Sequence, residues 1–345
     1  MKNSRKLAWI LASVFLIISV QDPARAKNAI RIRIGTAAPK DTLLHDVLKY
    51  IKQDWERISN GDVNATIFPG GILGDGPEMV DQARGGMLQA VGLSSIGLSR
   101  IDDSIACLAI PMMFRSYEEL DYVRDRIGPR LEKKLEEKGF KLLFWADVGW
   151  VYTFTKTPAR TPDELRKMKL FTSAGDPETE KLYKELGFHV VPLSGTDMIP
   201  SLQTGLVDAV NIPPPLALTT EVYRKAPNMI GVKWSPLIAG TVITLKAWEG
   251  IPENYRPQML EAAHERGDEY RGKIRKWAED SIREMEARGL NLIEPDADTL
   301  AIWQREAENS YPKLRGRYTP ADLFDEVQRL RNEFRNSKGH DIAQK

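Results

Sequence analysis

The residues best suited to bond chemistry sit in Gly92-Leu93-Ser94-Ser95-Ile96-Gly97, where two serines lie between glycines as in a strand-to-helix nucleophile turn. The stretch has one residue too many for the G-x-S-x-G spacing that lifts a serine hydroxyl above a sheet. A serine nucleophile also needs a base and an orienting acid, yet His45, His189, His264 and His340 are scattered along the chain. That arrangement predicts no triad and no metal site, and no catalytic residue is assigned. Charged neighbours flank His45 and His264, which read as helix-surface residues. Cys107 has no partner for a disulfide and lies in an apolar run at residues 105–110, so it reads as a buried, inert thiol. Gly70-Gly71-Ile72-Leu73-Gly74-Asp75-Gly76 precedes a helix as phosphate loops do, but lacks the Gly-Lys-Ser/Thr ending. It is expected to form a sharp turn with its amides facing a cleft, and no cofactor is implied.

The elements that must position these residues begin with an export segment. Lys2, Arg5 and Lys6 precede an apolar stretch at residues 7–20, and Ala24-Arg25-Ala26 follows. This three-part layout predicts a signal cleaved after about Ala26, and the stretch is shorter than the ~20 residues of a spanning helix. No cysteine near the cleavage point offers a lipid anchor, so a location outside the cytoplasm without a lipid tether is expected. Beyond residue 26 the chain carries 45 basic and 47 acidic side chains, a balance that gives nucleic acid no footing. No later segment is apolar for long enough to span a bilayer, and a core of this size divides into two lobes.

Ile30-Arg31-Ile32-Arg33-Ile34-Gly35 alternates apolar and polar residues, which is a strand pattern, and Leu43, Leu44, Val47, Leu48, Ile51 and Trp55 recur at helical steps. A second strand at residues 63–68, a short helix at 77–85 and a buried strand at 90–93 complete a β-α-β-α-β series, the mark of a layered lobe with a parallel sheet. A charged helix is expected over 117–139 and a strand over 140–145. The pattern then restarts, with an extended segment at 152–155, strands at 168–172, 188–191 and 209–211, and helices between them. Residues 252–288 read as one helix about 54 Å long, which has to lie across both lobes. Lobe I is assigned to 27–150 plus about 239–270 and lobe II to 151–238 plus about 271–335, with a frayed tail at 336–345. Trp145, Trp150, Trp234 and Trp248 fall near predicted strand ends, which are core in most folds and cleft in a two-lobed one.

Five segments carry a family resemblance: Ile67-Phe68-Pro69-Gly70-Gly71-Ile72-Leu73-Gly74-Asp75, Ile110-Pro111-Met112-Met113-Phe114, Glu137-Lys138-Gly139-Phe140-Lys141-Leu142-Leu143, Pro158-Ala159-Arg160-Thr161-Pro162-Asp163-Glu164-Leu165-Arg166 and Ser201-Leu202-Gln203-Thr204-Gly205-Leu206-Val207-Asp208. In this order and spacing the chain resembles the extracytoplasmic solute-binding subunits of TRAP transporters. The resemblance implies a class II-like periplasmic binding-protein fold of two α/β lobes, each a mainly parallel sheet flanked by helices, with a long helix spanning both. It implies a non-enzymatic protein that closes on a small molecule by hinge bending. The molecule would pass to integral-membrane TRAP subunits, the protein's only contact with the membrane.

Most members hold a carboxylate with an arginine on the strand after the Pro-x-x-Leu segment, and the matching residue here is Phe171. A second arginine of some members falls on Val151, and a common asparagine falls near Asn211-Ile212. A buried carboxylate without a charge-assisted partner is strongly disfavoured. A cleft lined by Trp150, Val151, Tyr152, Phe171, Ile212 and Trp234 favours an apolar or amphipathic ligand, at ~25 cal/mol per Å² of buried apolar surface. Ser94, Ser95, Ser173 and Asn211 are the candidates for its polar end. Two alternatives stay open: an acid held from another wall by Arg100, Arg115 or Lys169, and a periplasmic carrier of a hydrophobic ligand uncoupled from any permease.

Overall fold

Alternation at the start of the chain produces β1 (Ile30–Thr36), with Ile32 and Ile34 buried and Arg31 and Arg33 exposed. The computed structural model describes residues 29–343, so the expected export segment, residues 1–26, lies outside the described residues. β1 pairs in parallel with β2 (Val63–Phe68) and β3 (Ala90–Ser94), and the helix Leu43–Ile58 covers them with Val47, Leu48, Ile51 and Trp55 buried. The expectation for this half of the molecule holds element by element.

Two long strands carry the sheet onward. β4 (Phe140–Thr155) and β8 (Asn228–Thr244) run antiparallel to each other, and β3 pairs antiparallel with β8. On the far side of β4 lies β7 (Ala209–Ile212), then β5 (Lys169–Ser173) and β6 (His189–Leu193), the last three mutually parallel. The order is β2-β1-β3-β8-β4-β7-β5-β6, with β9 (Asn291–Ile293) on β8. The fold is two α/β lobes joined through β4 and β8. The strand expected at 140–145 and the extended segment at 152–155 are therefore one element. Nearly every β4 side chain is buried, so the strand lacks the alternation that marks a half-exposed one.

β4 is not regular. Its register with β8 shifts between Asp147 and Gly149, where Gly149 takes φ +130° and a Cβ would lie 3.1 Å from that of Ala278. A bulge reverses which side successive residues face. Phe144, Ala146 and Val148 face one side before it, and Val151 faces the cleft after it. At the bulge the buried Asp147 carboxylate accepts from Arg124 Nη1 and from Arg275 Nε, each at 2.7 Å, and Arg275 also reaches Asp121. This network ties the helix Tyr117–Glu137, β4 and the long helix Arg256–Ala287 at one point.

The long helix has 32 residues, about 48 Å, and packs on the helix Leu43–Ile58, on β4 and on the helix Pro214–Thr219, thereby spanning both lobes. It begins at Arg256 rather than 252. The C-terminal helix Ala321–Ala343 continues past residue 336, where the sequence suggested a frayed tail, and residues 344–345 lie outside the described residues. His45 is a second correction: it is buried, with Nδ1 accepting from the Asp41 N–H at 3.2 Å, because it closes the turn before its helix. His264 is exposed and Cys107 is fully buried, its thiol pKa raised by burial. Among the described residues no helix is long and apolar enough to cross a membrane.

Candidate ligand-binding cleft

The carboxyl ends of β3, β5 and β7 converge with the middle of β8 on a cavity of about 320 Å³. Such convergence at strand carboxyl ends is where open α/β sheets admit ligands. Eight of the predicted residues meet there: Ser94, Ser95, Val151, Phe171, Ser173, Asn211, Ile212 and Trp234.

Trp150 and Tyr152 are not in the lining. Successive residues of a strand face opposite sides, so Val151 cannot share its wall with both neighbours. The Trp150 ring packs 5.4 Å from that of Tyr117, with Lys233 over it, and Tyr152 is buried in the main core. Thr153, two residues beyond Val151, donates from Oγ1 to Asn211 Oδ1 at 2.7 Å, and Asn211 Nδ2 donates to the Tyr183 hydroxyl at 3.1 Å. The Asn211 amide is thus held from both sides. Thr153 does not line the cavity and acts on it only through Asn211. Tyr183, on the helix Pro177–Glu185, was not legible, since nothing in its local pattern separates cleft from core.

The glycine-rich turn has the expected backbone, with φ between +70° and +105° at Gly70, Gly71 and Gly74. The three glycine amides are spent away from the cleft: those of Gly70 and Gly71 donate to the carbonyls of Ala38 and Thr36 after β1, and that of Gly74 to the Gly71 carbonyl. Ser94 precedes the short helix Ser95–Ser99, and no histidine lines the cavity.

No lysine or arginine lines the cavity either. Arg100 lies in an adjoining pocket of about 260 Å³ and is bound to both oxygens of Asp81 at 3.2 Å. Arg317 in the same pocket pairs with Glu178 at 2.9 Å and Glu185 at 2.8 Å. Lys169 Nζ donates to the Gly205 carbonyl and lies 3.7 Å from Asp208. Arg115 borders a separate groove beside Phe114 and Lys233. The single carboxylate of the lining is Asp176, which caps the helix Pro177–Glu185 by accepting from the Thr179 N–H at 3.0 Å. Burial raises its pKa. Sequence reading missed Asp176, although an Asp-Pro pair opening a helix just after a strand marks such a position.

A second, apolar chamber of about 110 Å³ adjoins the first. Leu44, Val47, Leu48, Phe144, Ala146 and Val148 line it, and it shares Ser94, Leu216 and Leu237 with the larger cavity. Opposite, a Cβ added at Gly175 would lie 3.1 Å from Pro77 Cγ and 3.4 Å from Asp75 Oδ2, so the rims of the two lobes touch there.

The family model described as bacterial extracellular solute-binding protein, family 7 (DctP) matches residues 34–316. The 2,3-diketo-L-gulonate-binding periplasmic protein YiaO of Escherichia coli K12 is 23% identical over 266 residues, 76% of this chain and 80% of its own. A solved TRAP periplasmic solute binding protein of Ralstonia eutropha H16 with bound (S)-2-acetolactate matches with TM-score 0.82 at 19% identity, covering 88% of this chain and 99% of its own. Another, from Xanthobacter autotrophicus Py2 with bound β-D-galacturonate, matches with TM-score 0.80 at 20% identity, covering 87% and 99%.

Proposed function

This chain belongs to bacterial extracellular solute-binding protein family 7, the binding subunits of TRAP transporters, and from that premise we propose that it captures a small molecule between its lobes and presents it to integral-membrane TRAP subunits. Residues 1–26 would direct it to the periplasm. The chain would pass between lobes near residues 150 and 238, so that the bulge at Gly149 and the facing Leu237 of β8 lie at the hinge.

The ligand is apolar or amphipathic rather than a simple carboxylate. This departs from the acids bound by the two structural relatives. The observation that carries it is the lining itself, which has Phe171, Val151, Ile212 and Trp234 but no cationic side chain. A carboxylate enclosed there would lose its hydration without a charge-assisted partner, a cost of several kcal/mol. An apolar body gains ~25 cal/mol for each Å² it buries, and the 110 Å³ annex extends the surface available to it. The held Asn211 amide supplies one oriented polar point.

Organic extraction of the purified protein followed by mass spectrometry is expected to release a non-acidic amphipathic molecule. Calorimetry is expected to show no binding of galacturonate or acetolactate at millimolar concentration. Micromolar binding of either acid by the parent protein overturns the reading. Phe171→Arg should confer acid binding, because it returns a guanidinium to the wall.

A further inference from the structure

We propose that the polar end of the ligand is a protonated amine, held by the Asp176 carboxylate among the aromatic rings of Phe171, Tyr183, Trp234 and Tyr318. This rests on the reading above that the cleft takes a non-acidic molecule, and it assigns that molecule's charge. All five side chains belong to the lining of the same 320 Å³ cavity. Asp176 is the one carboxylate there, and among the described residues no basic side chain forms an ion pair with it. Its place is set by the cap it makes to the Thr179 N–H, so the charge is held still rather than swinging into solvent.

A carboxylate taken from water without a counter-ion is costly, and the raised pKa of Asp176, caused by burial, is the signature of that condition. A cationic ligand completes the pair. The Tyr183 and Tyr318 phenols are pushed up by burial first and by the Asp176 charge as well, in keeping with the lining that the three side chains share. Aromatic faces attract an ammonium within about 6 Å of their centroids, and a desolvated site strengthens the attraction.

The adjoining pocket does not reverse the sign. Its guanidiniums, Arg100 and Arg317, are matched by Asp81, Glu178 and Glu185, while Asp103 and Asp176 add negative charge. An acid entering the cavity would meet like charge, whereas a neutral alcohol would leave Asp176 without its counter-ion.

The test uses matched sets of amine, alcohol and carboxylate on one body, 2-phenylethyl or a short alkyl chain, titrated calorimetrically into the purified full-length mature protein. The amine of at least one set is expected to bind about tenfold or more tighter than its alcohol, with no heat from the acid. Asp176→Asn retains a capping side chain and is expected to abolish the preference for amine over alcohol. A circular dichroism melt verifies that the variant is folded. Should it fail to fold, Tyr318→Leu, expected to weaken amine more than alcohol, takes its place. Equal binding of amine and alcohol by the parent protein overturns the amine assignment and leaves the non-acidic reading standing. Tightest binding of the acid overturns both. Failure of every amine to bind at millimolar concentration overturns the amine assignment.

Discussion

Phe171 and Val151 present hydrocarbon to the cavity, and the only charge in its lining, Asp176, is negative, so the selectivity of the cleft rests on a few side chains rather than on the fold. Of these, Phe171, Val151 and Asn211 were legible because each occupies a position that the family segments locate. Asp176 and Tyr318 were not, since one reads as a helix cap and the other as a loop tyrosine until the cavity brings them together. His45 shows the same limit. Its charged neighbours suggest an exposed residue, but the turn it closes buries it and lowers its pKa below 6.5, burial being the main cause. A base whose folded pKa is depressed contributes stability that is present above its unfolded value and is lost as pH falls through the folded one. The His45 ring signals in an NMR titration are therefore expected to show a midpoint below 6.5, with the Asp41 amide shifting in step as Nδ1 ceases to accept from it. A midpoint at or above 6.5 would contradict the burial argument.

At the scale of elements, β4 shows why a strand can be hidden in its own sequence. Asp147 and Gly149 interrupt an apolar run and suggest a break, yet the strand runs through them because Asp147 is satisfied by the buried guanidinium of Arg124 and the half-buried one of Arg275, and Gly149 absorbs the bulge. The bulge also explains why Trp150 and Tyr152 turn away from the cavity while Val151 enters it. Replacing Asp147 with Ala leaves Arg124, only 2% exposed, without that carboxylate, and should destabilise the protein by about 3–5 kcal/mol. Guanidinium chloride unfolding measures this directly. A loss under about 1 kcal/mol would mean that Asp121 alone neutralises both arginines.

The whole molecule is a sheet shared by two lobes and strapped by one 32-residue helix, with the cavity where the lobes face each other. The rims meet at Gly175 and Pro77 because the glycine carries no side chain to hold them apart. Gly175→Trp is expected to wedge the lobes open, seen as a larger radius of gyration by small-angle X-ray scattering with an unchanged unfolding midpoint. An unchanged radius would show that the contact does not limit closure. The sequence by itself determined the strands and helices from β1 to β3, the long spanning helix and the family, because periodicity, turn residues and short segments are local properties of the chain, whereas β8 and the continuity of β4 went unread. The side each β4 residue faces, the spent amides of the glycine turn and the meeting of Asp176 with Phe171 and Tyr318 were decided by tertiary structure. Each depends on a bulge, a hydrogen-bond partner or a chain return far along the sequence, and no local pattern carries that information.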